Sequence, residues 1–300
     1  MMAGMRRGTY SIVARDAGTG EMGVAVQSHW FSVGGVVAWA RPAVGAVATQ
    51  SVAEIAHGPH MLEQMQRGLA ARAAVEAVLA PDEQASYRQL GAVDAHGNAF
   101  AHTGADCIPF AGQVIGDGFS CQANMMAAGT VPAVMAEAYR AHDGDLADGL
   151  MAALLAAENE GGDVRGRQSA ALLVVPAAGE HWQTRLDVRV EDHADPLVEL
   201  ARLLRLARAY EMADEADSLA AQGEHRRASA LYVAAAELAP DADELTFWAG
   251  LGVAAEDLAR GAQLVRSAAA VRDSWLTLLD RLEPELAPTA AAVSNELGRS

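Results

Sequence analysis

The first two hundred positions alternate short apolar runs with turn-forming residues, whereas the last hundred carry helical spacing almost throughout. Tyr10–Arg15 is rich in β-formers, Asp16-Ala17-Gly18-Thr19-Gly20 supplies turn chemistry, and Met22–Ser28 alternates again. Val36–Arg41 and Val44–Thr49 predict a second strand pair joined at Pro42-Ala43. The run Val44-Gly45-Ala46-Val47-Ala48 has no polar face, so it predicts a strand covered on both sides. Helices are predicted at Gly58–Arg67 and Ala70–Leu79, with Gly68 between them and Pro81 after them. A hairpin over Leu90–Asp94 and Ala99–His102 turns at His96-Gly97-Asn98. Two short strands within Phe110–Gln122, helices at Val131–Arg140 and Asp145–Glu160, and strands at Gln168–Val175 and Thr184–Glu191 complete the segment.

Strands, helices and strands in this order predict a layered α+β fold, an αββα sandwich ending near His193. Long βαβ alternation, G-x-G-x-x-G and a Walker A sequence are all missing, which argues against a Rossmann sheet and against nucleotide binding. From Pro196 onward Gly223, Ala228, Tyr232, Ala235 and Pro240 reproduce the second helix of a tetratricopeptide repeat and its closing proline. A degenerate second copy is offset by 34 residues: Ala216 matches Gly250, Ala228 matches Ala262, Ala235 matches Ala269, and Tyr232 becomes Arg266. The alternative is an alanine-rich helical tail in which small residues recur by chance. The expected domains are residues 9–204, the sandwich, and residues 205–300, an all-α tetratricopeptide-like segment. Two repeats are few for a free-standing array, so this segment is expected to pack against the first domain or a second subunit.

Composition narrows the partners more than the fold. The 300-residue chain is 51% hydrophobic and 20% charged, as globular proteins are. All 22 basic residues are arginine, so no lysine can serve as base, Schiff-base former or phosphate anchor. A net charge of −17 opposes binding to phosphate backbones and anionic membranes, and neither nucleic acid nor membrane is an expected partner. No uncharged apolar run reaches the roughly 18 residues of a membrane span. Arg6 and Arg7 are not followed by a signal-peptide core, and a cytoplasmic location is expected. Cys107 and Cys121 are too few for a disulfide framework and are read as buried reduced thiols. Neither H-E-x-x-H nor C-x-x-C occurs, so no metal and no cofactor are expected; His57 with His60, and Asp192-His193 with Asp195, read as surface features.

The residue with the most chemical promise is Thr9, which follows Gly8 and opens the first strand. A threonine with a free α-amine is a complete nucleophile–base unit, because the amine can take the hydroxyl proton. Thr9–Asp16 (TYSIVARD), Gly23–Ser28 (GVAVQS), Val37–Arg41 (VAWAR), Val44–Gln50 (VGAVATQ), His57-Gly58-Pro59, Gly166–Val175 (GRQSAALLVV) and Asp187–Pro196 (DVRVEDHADP) together resemble the domain-of-unknown-function family 1028. That group is placed in the N-terminal-nucleophile (Ntn) hydrolase superfamily, and the resemblance covers about residues 9 to 205. It implies an αββα Ntn-hydrolase-like sandwich and leaves the reaction open. In the wider superfamily the nucleophile is the first residue of the first strand, and Gly8-Thr9 resembles the cleavage junction of proteasome β-subunits. The resemblance therefore implies Thr9 as the catalytic residue. Eight residues precede it, so the chain cuts itself at Gly8, or its true start lies later, or Thr9 is never freed. Proteasome-like sites also place a lysine beside the threonine; here Arg41 or Arg167 would have to supply the positive charge.

Ser28 and His29, where the second strand enters a loop, are expected near that nucleophile as substrate contacts or proton carriers. Gln50, ending the fourth strand, is expected to orient a substrate carbonyl, whereas Ser51 with Glu54 fits a capping box for the following helix. Asn124 is a candidate pocket amide. In Gly161–Ser169, the pair Gly161-Gly162 and the single Gly166 are interspersed with Asp163 and two arginines, and Arg165 or Arg167 could grip a substrate carboxylate; Arg167 is preferred. The leading expectation is an Ntn-type hydrolase cleaving a small amide with Thr9, joined to helices for protein contact or homo-oligomerisation. The competing one is a non-catalytic Ntn-fold scaffold for ligand binding or dimerisation.

Overall fold

The structure is a computed structural model that describes residues 6–299. Contacts divide the chain into two compact units, up to Ala201 and from Arg202 onward. The first contains β1 (Arg6–Arg7), β2 (Thr9–Arg15), β3 (Met22–Ser28), α1 (Gly34–Val37), β4 (Ala38–Arg41) and β5 (Gly45–Val52). Helices α2 (His57–Gln66) and α3 (Ala71–Leu79) follow, then β6 (Arg88–Asp94), β7 (Ala99–Thr103), β8 (Gly112–Gly116) and β9 (Phe119–Asn124). Helices α4 (Val131–Ala141) and α5 (Leu146–Asn159) precede β10 (Ser169–Val175) and β11 (Leu186–Val190).

Two antiparallel sheets stack face to face. One has the order β1-β5-β6-β7 with β4 also on β5, the other β11-β10-β3-β2-β9-β8. Between them lie Val13, Val24, Val26, Ala46, Ala48 and Val93. The opposite face of the first sheet, through Val47, Leu90 and Ala92, packs on Met61, Leu62 and Val75 of α2 and α3. α5 covers β2 and β3 on the outer face of the second sheet. Close approach there depends on Gly23, where a Cβ would stand 2.7 Å from Leu150 Cδ1. The result is the expected αββα sandwich within an α+β fold.

Two local expectations fail. The strand predicted at Val36–Arg41 begins only at Ala38, because Gly34–Val37 forms a helical turn closed by Val37 N–H to Val33 O at 3.0 Å. The turn places Val33 and Val37, one helical turn apart, in the inter-sheet core together. Ser51 caps nothing: β5 runs on through Val52, and the next helix begins at His57 with no side-chain cap. Ser51 instead adopts a φ of 70°.

The second unit is helical. α6 (Pro196–Ala221) carries the chain into it, and α7 (His225–Leu238), α8 (Asp243–Val253), α9 (Leu258–Val271), α10 (Ser274–Leu279) and α11 (Ala290–Glu296) follow. Of the recurring small residues, Ala216, Ala228, Gly250 and Ala262 are buried, whereas Ala269 is only half-buried and Ala268 takes the inner position. Gly250 and Gly261 lie where α8 meets α9, and a Cβ on Gly250 would stand 2.8 Å from the Gly261 carbonyl oxygen. Among the described residues no helix is long and apolar enough to cross a membrane.

Candidate active site

Gly8 is the single residue between β1, which pairs with β5 in the first sheet, and β2, which lies in the second. The chain therefore changes sheets at the Gly8–Thr9 bond. Thr9 is fully buried and stands opposite Ser28 on β3 and Asn124 on β9. Direct cross-strand pairing brings side chains within contact, and here the Thr9 hydroxyl donates to Ser28 Oγ at 3.1 Å. Ser28 Oγ donates in turn to the Gly8 carbonyl oxygen at 2.5 Å. Arg165 Nη2 donates to the same oxygen at 2.9 Å. The carbonyl before Thr9 thus faces two donors, one of them charged.

Arg165 is held by Asp163. Its Nη2 lies 2.8 Å from Asp163 Oδ2 and its Nε 3.1 Å from Asp163 Oδ1. The backbone N–H groups of Arg165 and His29 also donate to that carboxylate, at 2.9 and 3.3 Å. The Asp163 side chain has no solvent exposure. A buried carboxylate needs such partners, and four donors fix its rotamer as well as its charge. Left-handed glycines at 161, 162 and 166 turn this loop, and Val164 N–H to Met125 O and Ala127 N–H to Gly162 O fasten it to the segment after β9.

A second polar layer fills the rest of the space between the sheets at this end. Gln50 accepts from Ser11 Oγ at 2.6 Å and donates through Nε2 to Gln89 Oε1 at 2.8 Å. The same Nε2 lies 3.3 Å from the carbonyls of Thr9 and Gln122. Asn124 Nδ2 donates to Gln89 Oε1 at 2.9 Å, and Gln122 Nε2 donates to Ser11 Oγ at 2.7 Å. Gly91 makes room for this layer, since a Cβ there would come within 2.3 Å of Gln122 Oε1.

The sequence-derived site residues therefore separate. Thr9 and Ser28 meet at the Gly8 carbonyl. Gln50 and Asn124, expected to touch substrate, are buried inside a structural amide network. His29 contributes its backbone N–H to Asp163, while its ring Nδ1 lies 3.1 Å from the Arg167 carbonyl. Arg167 is turned away onto Glu158, at 2.6 Å, and Asp195. Arg41, the other candidate for positive charge, donates to Gln66 Oε1 on α2. The charge beside Thr9 comes from Arg165 instead, and Asp163 and Gly8 complete the group. The only advance signal was the glycine-flanked acid–arginine loop.

Cys107 and Cys121 are both buried free thiols, and burial raises the pKa of each. Among the described residues no three His, Cys, Asp or Glu side chains group to hold a metal ion. A cleft of ≈ 360 Å³ lined by Asp16, Tyr139, Arg140 and His142 opens beyond the other end of β2.

This is an αββα protein with a threonine-centred polar site at the junction of its two sheets. Residues 9–200 match the family of unknown function DUF1028, and the chain belongs to that family. A solved structure of a DUF1028 protein from Silicibacter pomeroyi is 33% identical, with a TM-score of 0.61 over 67% of this chain and 86% of that one. Anbu (ancestral beta-subunit) from Yersinia bercovieri gives a TM-score of 0.32 at 12% identity, over 71% of this chain and 97% of that one. No curated protein matches the chain.

Proposed function

We propose that the protein is a threonine-dependent Ntn-type amidohydrolase that frees its own nucleophile by cutting the Gly8–Thr9 bond. The observation that carries this reading is the pair of donors on the Gly8 carbonyl oxygen, Ser28 Oγ and Arg165 Nη2, beside the Thr9 hydroxyl. Preorganised donors on a carbonyl oxygen stabilise the negative charge that develops there when a nucleophile adds. Thr9 Oγ1 adds to the Gly8 carbonyl carbon; its proton passes to Ser28 Oγ, and the Ser28 proton passes to the carbonyl oxygen. Collapse breaks the C–N bond, the Thr9 nitrogen takes that proton, and an ester joins Gly8 to Thr9 Oγ1. Water hydrolyses the ester and leaves Thr9 with a free amine.

That amine then replaces the missing lysine as the base for turnover, taking the Thr9 hydroxyl proton while Ser28 and Arg165 hold the substrate oxyanion. The substrate class is a small amide. The helical unit, with Val271 and Leu286 exposed, is assigned to protein contact or self-association, which sedimentation of the intact chain tests.

Intact-mass measurement of purified protein over time tests the reaction. Loss of residues 1–8 from the wild type, with their retention in Thr9→Ala, is the expected result. Retention in both, with any amide hydrolysis undiminished in Thr9→Ala, overturns the reading in favour of a non-catalytic scaffold.

A further inference from the structure

We infer that the acyl side of the substrate is an extended peptide ending in glycine, which adds as an edge strand to β5 in the place of Arg6–Gly8. This rests on the reading of Thr9 as a freed nucleophile. Two independent features of the leader segment point to it.

The first is the strand slot. On the edge of β5 away from β6, β4 pairs with residues 45–48 and β1 pairs Arg6 with Val52 and Arg7 with Ser51. Loss of β1 strips its cover from the Ser51–Val52 stretch and leaves β4 on residues 45–48. Backbone N–H and C=O groups freed there need new partners, and an extended peptide supplies them without side-chain complementarity. Register does the rest. A residue paired with Ser51 is followed by one whose carbonyl falls between Ser28 and Arg165, where Gly8 now lies.

The second is the wall at that residue. A Cβ on Gly8 would stand 2.7 Å from Asp163 Oδ2 and 2.9 Å from its Cγ and Oδ1. Gly8 has no left-handed φ, so space and not backbone freedom is what requires glycine. Asp163 cannot swing aside, because its carboxylate is buried and pinned by Arg165 and the His29 N–H. Asp163 is thus a positioning residue for Arg165 and a specificity determinant for the residue whose carbonyl is attacked.

The test uses the chain beginning at Thr9, produced by its own cleavage or by removal of an N-terminal fusion. Calorimetric titration compares acetyl-Arg-Arg-Gly, acetyl-Arg-Arg-Ala and acetyl-Arg-Arg-Gly N-methylated at both arginines. The glycine peptide is expected to bind about 10- to 100-fold more tightly than the alanine peptide, as forcing a methyl into a rigid wall implies. N-methylation should abolish binding, and Asp163→Ala should bring the glycine-to-alanine ratio towards one. Equal binding of the two peptides, undiminished binding of the N-methylated one, or no binding of any overturns the inference. Hydrolysis of the coumarin amide of acetyl-Arg-Arg-Gly is read separately: glycine-selective binding without hydrolysis keeps the slot and overturns only the nucleophile.

Discussion

Thr9 Oγ1 and Ser28 Oγ stand 3.1 Å apart as direct cross-strand partners, with the threonine donating and the serine accepting. Since Ser28 donates onward to the Gly8 carbonyl, the pair forms a continuous hydrogen-bond path from the Thr9 hydroxyl to the Gly8 carbonyl oxygen. Strand register alone creates it. A one-residue slip of β3 against β2 would turn Ser28 to the opposite face and break the path.

Ser28→Ala removes one donor from the Gly8 carbonyl and the acceptor of the Thr9 proton. The Gly8–Thr9 cut should slow by about 10²- to 10³-fold, the usual effect of losing one oxyanion donor. Stability should fall by only about 1 kcal/mol, as for a lost buried hydrogen bond. A mass-spectrometric time course of the refolded precursor measures the rate. An unchanged rate removes Ser28 from the chemistry.

In the proposed reaction Arg165 would combine a chemical role with the structural one of pairing Asp163, and a double variant separates them. Arg165→Met leaves the buried Asp163 carboxylate without its counter-ion. A fully buried pair broken in this way costs about 3–5 kcal/mol, and the 26% exposure of Arg165 lowers the expectation to about 2–3 kcal/mol. Adding Asp163→Asn removes the stranded charge and should restore most of that stability in urea melts. It should not restore the cut, because the charged donor to the Gly8 oxygen is still missing. Recovery of both would make Arg165 structural only.

Gln50 should behave in the reverse way. Its amide joins Ser11, Gln89 and two backbone carbonyls with no route to solvent. Gln50→Leu strands several buried polar groups and should cost about 2–4 kcal/mol, while folded molecules cut Gly8–Thr9 at near the wild-type rate. Unchanged stability with a raised KM would instead make Gln50 a substrate contact.

The sequence carried the layers and the place of Thr9 at the start of a central strand, but not the polar interior. Strand periodicity and turn residues located β2, β3, β6, β7 and β10 to within a residue or two, because both signals are local. Gln122 and Asn124 alternate with apolar neighbours while Gln50 and Gln89 adjoin other polar residues, and both patterns suit a solvent-facing edge equally well. Only the stacking of two sheets makes that face an interior. The choice between Arg165 and Arg167 was illegible for another reason: a loop turned by left-handed glycines has no period from which side-chain direction can be read. Asp163 as a wall against Gly8 needs residues far apart in the chain to meet, and no local pattern encodes that contact.

The same buried architecture predicts loss of stability in alkali. Burial, and then the Glu158 carboxylate that accepts its hydroxyl at 2.6 Å, hold the pKa of Tyr10 well above the usual phenol value. Burial likewise pushes Tyr139 up to about 12 and raises Cys121. In each case the native state keeps a proton that the unfolded chain releases at about pH 8.5 for a thiol and about 10 for a phenol. Stability from these groups is therefore complete below those unfolded values and declines as pH rises towards the folded ones. Tm should be nearly flat from about pH 7 to 8 and fall steadily between about pH 9 and 11. Tyr10→Phe should lower Tm slightly at neutral pH, through the lost hydrogen bond to Glu158, yet give a shallower decline above about pH 10. Calorimetric melts of both proteins across that range decide it. Parallel curves for the variant and the wild type would show that Tyr10 is not a source of the alkaline loss.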